Sequence, residues 1–303
     1  MIGLFYFKQN YMLELSQIVA GCMKWGQWGV KYSTDQYLQL MEDCIMNNIT
    51  SFDHADIYGD YTVEEEFGNA LQLKSHLRKQ MQLITKCGIR RFTPNRPEHK
   101  IHSYDTSRKH IIASAERSLK NLNTDFIDLL LIHRPDPLMD PNEIAEAFAE
   151  LKQAGKVLHF GVSNFTPSQM EMMARIWKVE FNQLEVSIVH LDPFHDGTLD
   201  KCIEYNIRPM SWGPLGSGKL HSDEHDERSK RILSIANMLA EKYNSTSDQI
   251  LLAFVFKHPS KIIPVIGSTK IERLKSSYDA AQINIEREEW FMLWRASKGH
   301  EVP

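Results

Sequence analysis

Eight short runs of β-branched and leucine-rich residues alternate with longer helical patterns along the 303 residues. Several helices open on capping signals, and four ionisable residues stand at or just beyond the ends of apolar runs in the first half of the chain. These three observations predict an α/β chain folded as a single (β/α)8 barrel, with the active site at the C-terminal face of its strands. Eight strands close a barrel, whereas an open doubly wound sheet more often has five or six.

In chain order the strands are expected at 17–21, 50–53, 82–86, 126–133, 157–163, 181–185, 208–212 and 262–266. The fourth contains Leu129-Leu130-Leu131-Ile132, so apolar that its strand should be buried on both faces. Between the strands, capping boxes are read at Thr62 with Glu65, Asp140 with Glu143, Thr166 with Gln169, Thr246 with Gln249 and Thr269 with Glu272. Pro141 and Pro167 fall at first helical positions, where the missing N–H costs nothing. Four irregular stretches, 88–105, 135–140, 190–197 and 213–227, each follow a strand, and loops on that face are where barrels build specificity.

The length suits one barrel of roughly 250 residues plus insertions. Residues 12–303 are read as that domain, and 1–11 as a loosely packed extension or a start placed too early. With 42% hydrophobic and 24% charged residues the composition is that of a soluble globular enzyme rather than a disordered chain. A formal charge of -4, with Lys and Arg dispersed, argues against a nucleic-acid footprint or a polybasic membrane anchor. The run 2–7 is too short and wrongly flanked for a signal peptide. Cys22, Cys44, Cys87 and Cys202 show neither zinc nor disulfide spacing, which fits a reducing cytoplasm. Oligomeric state is not written in the pattern; a monomer is compatible with it.

Asp53, Tyr58, Lys86 and His133 carry the candidate chemistry. In a parallel barrel such positions converge on one mouth. A phenol with a pKa near ~10 is a poor acid at neutral pH, but an adjacent ammonium favours its ionised form, and Lys86 is placed to be that cation. Asp53 could pair with Lys86, and the His133 imidazole could orient a carbonyl oxygen. A lone strand-end Tyr or His is most often structural, and an Asp–Lys pair is usually only a salt bridge. Four at matching positions reverse that expectation.

With these residues the chain resembles the aldo-keto reductases, through Phe52-Asp53 to Tyr58-Gly59, Thr85-Lys86 and Ile132-His133, over about residues 18–281. The resemblance implies a (β/α)8 barrel that uses an Asp, Tyr, Lys, His tetrad to reduce carbonyls with NADPH. Gly161-Val162-Ser163-Asn164-Phe165 resembles the segment whose Ser and Asn bond the nicotinamide carboxamide, with Gln183 in the same clamp. Trp212 stands where an aromatic stacks on the nicotinamide ring, and Met23, just past the first strand, joins the implied cofactor contacts. Gly267, Ser268, Thr269, Lys270 and Arg273 match the segment that holds the 2′-phosphate, at a helix start expected near Thr269. From pattern alone, a capped helix with solvated charges is as good a reading of that segment. Ser277 replaces the Asn that often contacts adenine. The end Gly299-His300-Glu301-Val302-Pro303, with 132–137 and 86–88, resembles a bacterial subgroup of oxidoreductases.

Gly213-Pro214-Leu215-Gly216-Ser217-Gly218-Lys219-Leu220 fits P-loop spacing until Leu220, which cannot ligand Mg²⁺ as Ser or Thr would. Leu215, Gly216 and Gly218 are read instead as letting backbone approach a cofactor pyrophosphate. His54, Asp56, His190, Asp192, His195 and Asp196 invite a metal reading. The first strand lacks the His-x-His of metal-dependent barrel hydrolases, so no metal is expected. Trp25 and Trp28 either line the substrate pocket or pack.

The expected activity is NADPH-dependent reduction of an aldehyde or ketone to an alcohol, with Tyr58 as proton donor. Two other classes stay open: an NADPH-binding sensor or regulatory protein with little turnover, which shares this fold, and a metal hydrolase on the same barrel.

Overall fold

The computed structural model describes residues 12–221 and 226–303; the expected extension 1–11 lies outside the described residues. The barrel strands are β1 (Val19–Gly21), β2 (Ser51–Asp53), β3 (Gln82–Cys87), β6 (Ile127–Ile132), β7 (Val157–Ser163), β8 (Phe181–Glu185), β9 (Arg208–Trp212) and β10 (Ile263–Ile266). They close in the order β1-β10-β9-β8-β7-β6-β3-β2, every pair parallel. Val19, Ile84, Leu129, Leu131, Phe181, Met210, Ile263 and Val265 fill the barrel, and separate apolar clusters seat the helices outside it. All six residues of β6 are buried, as a strand covered by side chains within and a helix without must be.

Register brings the chemistry to one end. Gly21 pairs with Asp53, Asp53 with Ile84 and Cys87 with Ile132, so Asp53, Lys86 and the residue after Ile132 stand at the C-terminal ends of adjacent strands, on one rim. Beyond the strands the backbone stays tied: His54 N donates to Ile84 O, Asp56 N to Lys86 O and His133 N to Cys87 O.

Two differences from expectation matter. The stretch after β3 is not irregular throughout, because Ile89–Arg90 (β4) and Ser103–Tyr104 (β5) pair as an antiparallel hairpin. It leaves β3 through Gly88 at φ 110°, a conformation that favours glycine. Three capping boxes are also absent. Thr62 Oγ1 donates to Gly59 O instead of capping α2 (Val63–Leu73). Asp140 caps α4 (Pro141–Gln153) through Asn142 N, while Glu143 accepts from Arg108 N at the start of α3 (Arg108–Asn121). The helix expected near Thr269 begins at Ile271, as α9 (Ile271–Asp279), with Lys270 at its N-cap. The boxes at Thr166 and Thr246 form, and Pro141 and Pro167 occupy first-turn positions.

Candidate active site

Lys86 is fully buried, and its three ammonium protons meet three acceptors: Asp53 Oδ2 at 2.7 Å, His54 O at 2.8 Å and Tyr58 Oη at 3.1 Å. The neighbouring strands dictate this set, because β2 ends on Asp53 and the backbone ties at His54 and Asp56 turn the next residues over the end of β3. Burial alone would push the ammonium pKa down, but Asp53 and Tyr58 outweigh it and hold the group above its ordinary value. Lys86 is therefore a fixed positive charge aimed at a phenol.

For Tyr58 one expectation needs correction. Its pKa is raised, because burial outweighs the lowering by Lys86 and Asp53 adds to the rise. The phenol thus keeps its proton at neutral pH. The ammonium would stabilise the phenolate formed when that proton leaves. The His133 ring lies 6.1 Å from the Tyr58 ring, edge to face. Burial, then Lys86 and Arg134, push its pKa well below the ordinary range, and its Nδ1 is enclosed without a partner. A neutral imidazole beside a protonated phenol can hold a carbonyl oxygen and deliver a proton to it.

The nicotinamide-clamp candidates form one network. Asn164, at φ 59°, turns its amide so that Nδ2 donates to Ser163 Oγ at 2.7 Å and Oδ1 accepts from Trp212 Nε1 at 3.0 Å. Ser163 Oγ donates to Gln183 O, and Gln183 Nε2 donates to Asp53 Oδ1 at 2.8 Å. Ser163 Oγ, Asn164 Oδ1 and the side-chain Oε1 of Gln183 keep acceptor capacity, which suits an amide NH2. Arg134 lies 5.8 Å from the Trp212 ring.

Around the rim, Met23 is exposed in the turn after β1. Gly216 (φ 76°) is buried, and a Cβ there would strike Val189 at 2.7 Å. Gly218 (φ 91°) and Gly267 face open space where a Cβ would meet nothing within 4 Å, and Leu215 packs half-buried against the apolar clusters outside the barrel. Ser268 and Thr269 point their carbonyls inward, to Trp25 Nε1 and the Tyr32 hydroxyl. Lys270 and Arg273 are exposed, and their side chains make no hydrogen bond or ion pair among the described residues. Open glycine backbone beside two uncommitted cations fits a dinucleotide phosphate. Ser277 donates to Arg273 O on its own helix, so its hydroxyl is engaged.

Trp25 is a packing residue, fully buried among Tyr32, Tyr37, Phe52 and Phe67. Trp28 belongs to the mouth: its ring is 6.2 Å from Tyr58, and its Nε1 donates to Asp60 Oδ2 at 3.3 Å. Arg91 completes that wall, 2.7 Å from Asp60 and 4.8 Å from the Trp28 ring. Sequence reading missed Asp60, Arg91, Arg134 and the His54 carbonyl. Arg134 directly follows His133 and could have been read, whereas a backbone oxygen has no residue signature. Among the described residues no group of three or more His, Cys, Asp or Glu stands close enough to hold a metal ion. Two surface cavities, of about 670 and 400 Å³, contain no tetrad residue, so hydrogen bonding rather than cavity size locates this chemistry.

The model of the Aldo/keto reductase family matches residues 17–297. The chain is 44% identical to the oxidoreductase YdhF of Escherichia coli, covering 96% of each chain, and 43% identical to the oxidoreductase YcsN of Bacillus subtilis, covering 96% of this chain and 97% of that one. A crystal structure of an aldo/keto reductase from Klebsiella pneumoniae in complex with NADP and acetate aligns with a TM-score of 0.74 at 25% identity, covering 93% of this chain and 91% of that one. The chain belongs to the aldo/keto reductase family. It is an NADP-dependent oxidoreductase built on that family's (β/α)8 barrel.

Proposed function

We propose that the protein reduces the carbonyl of a small aldehyde or ketone to an alcohol, with Tyr58 donating the proton to oxygen. The observation that carries this reading is the fully buried Lys86 ammonium, 3.1 Å from the Tyr58 hydroxyl and 2.7 Å from Asp53. NADPH, when bound, supplies the two-electron reducing equivalent that reaches the carbonyl carbon. Trp212 would face the nicotinamide; Ser163, Asn164 and Gln183 would hold its amide. Leu215, Gly216 and Gly218 would let backbone approach the pyrophosphate. The segment from Gly267 to Thr269, with Lys270 and Arg273, would take the 2′-phosphate, and Met23 would border the cofactor at the rim.

In this reading Asp53 keeps Lys86 charged and aimed, and His133 orients the carbonyl oxygen. As the proton leaves Tyr58, the ammonium stabilises the phenolate without reorganising, because all three of its donors are already placed. The four free, buried cysteines support a reducing, cytoplasmic setting. A panel of aldehydes and ketones assayed by NADPH oxidation, beside a fluorescence titration of NADPH, tests the proposal. Turnover on the panel is expected. Tight NADPH binding with no oxidation of any member would identify a cofactor-binding regulatory protein instead.

A further inference from the structure

We propose that the chain carries a second anion site, suited to a phosphate dianion, in the cavity of about 400 Å³ between the β4–β5 hairpin and the start of α3. Four cationic side chains line it, Arg90, Arg96, Lys109 and Arg117, against two carboxylates, Glu98 and Asp105. The lining thus carries an excess of two positive charges. Asp105 is partly engaged: its Oδ1 accepts from both the backbone N–H and the hydroxyl of Ser107, at 3.1 and 2.7 Å, its Oδ2 lies 3.6 Å from His110, and it also feels Arg90. The Glu98 side chain is 63% exposed, where solvent screens its attraction to His99, Arg96 and Arg117.

The cations, by contrast, are underused. Arg90 and Lys109 make no side-chain hydrogen bond or ion pair among the described residues. Arg117 gives one donor to Ser114 Oγ at 2.8 Å; Arg96 gives one to Asn95 O at 3.1 Å and lies over the Tyr61 ring at 4.5 Å. The buried Asp56 also feels Arg117 and Arg96, but burial and Glu64 push its carboxyl pKa well above the ordinary value. His110 also lines the cavity, and burial together with Arg117 and Arg90 pushes its pKa down to about 4 despite Asp105. The helix start itself contributes little, since His110 N and Arg108 N already donate to Ser107 Oγ and Glu143. Unfilled guanidinium forks and an ammonium around a pocket with two surplus charges match a tetrahedral oxyanion.

The site does not depend on the roles given to the tetrad, yet it touches the mouth through a chain of contacts. Arg96 stacks on Tyr61, whose hydroxyl accepts from Arg91 N at 2.9 Å, and Arg91 pairs with Asp60 beside Trp28. The phosphate could therefore be free or be the distal group of a substrate.

The test is calorimetric titration of inorganic phosphate into NADPH-saturated protein at constant ionic strength, so that the cofactor occupies its own phosphate contacts. One equivalent is expected to bind, with affinity about ten-fold or more weaker in the Arg90→Gln, Lys109→Gln double variant. That variant should keep wild-type NADPH affinity and melting temperature, and Lys109→Glu alone should also weaken phosphate. Absence of binding to the wild type, or equal affinity in wild type and variants, overturns the proposal. Competition of phosphate with a carbonyl substrate would assign the anion to the substrate's distal end; binding without competition would assign it to free phosphate.

Discussion

Gln183 Nε2 donates to Asp53 Oδ1 at 2.8 Å, while the other oxygen of the same carboxylate holds Lys86 at 2.7 Å. A side chain of the implied cofactor clamp is thus bonded directly to the carboxylate that fixes the lysine. The two halves of the site are one hydrogen-bonded unit, so changes on either side should be felt across it and should not add.

Asp53→Asn tests that unit. It leaves the ammonium of Lys86 buried without its carboxylate, a situation that typically costs about 3–5 kcal/mol. Denaturant melts should show a loss on that scale. Lys86 should also titrate lower than in the wild type, because Asp53 is the partner that most strongly opposes the effect of its burial. The alkaline limb of the activity profile is then expected to move to lower pH; an unmoved limb and an unchanged melt would contradict the role given to Asp53.

Tyr58→Phe removes the proposed donor and one of the three acceptors of Lys86, while the ring contacts to Trp28 and His133 survive the loss of a hydroxyl. Turnover should fall about 10²–10⁴-fold, the usual size of a positioned acid's contribution. NADPH affinity should stay close to normal. Retained turnover would remove Tyr58 from the chemistry.

The strands were legible because each is a short apolar run bounded by helical periodicity, and several sequence-drawn boundaries, such as 181–185 and 208–212, coincide with the observed ones. The positions of Asp53, Lys86 and His133 followed from strand ends alone. The pKa of Tyr58 did not, because pattern shows a neighbouring cation but not the depth of burial that outweighs it. The N-cap was read at Thr269, one residue before the observed Lys270, because Thr269 and Glu272 fit a capping box; in the fold, the Thr269 carbonyl accepts from Tyr32. The β4–β5 hairpin escaped notice because paired strands of two residues are too short to show alternation.

Lys270→Ala with Arg273→Ala tests the cofactor segment. Both cations are exposed and uncommitted, so their loss should cost little stability. If they bond the 2′-phosphate, each charge-assisted contact is worth roughly 1.5–3 kcal/mol, and the double variant should weaken NADPH by at least about a hundred-fold. NADH, which lacks that phosphate, should be weakened far less. Parallel titrations of the two cofactors decide the matter, and equal losses would place the phosphate elsewhere.

His54 makes the stability of the barrel depend on pH. Its ring is fully buried against Phe67 at 4.4 Å, neither nitrogen has a partner, and burial followed by Lys86 lowers its pKa from 6.5 to about 3. The folded state therefore keeps this imidazole neutral while the unfolded chain protonates it below about pH 6.5. The sign follows: the contribution is complete above the unfolded pKa and is lost as pH falls toward the folded one. Between pH 7 and pH 5 that loss amounts to about 2 kcal/mol for this one group. His54→Leu leaves the carbonyl that accepts from Lys86 in place and removes the titration. Its unfolding free energy should fall by about 2 kcal/mol less than that of the wild type over that interval, because the difference between the two proteins isolates the single imidazole. Denaturant melts at the two pH values provide the measurement, and parallel losses would show that His54 does not titrate on unfolding.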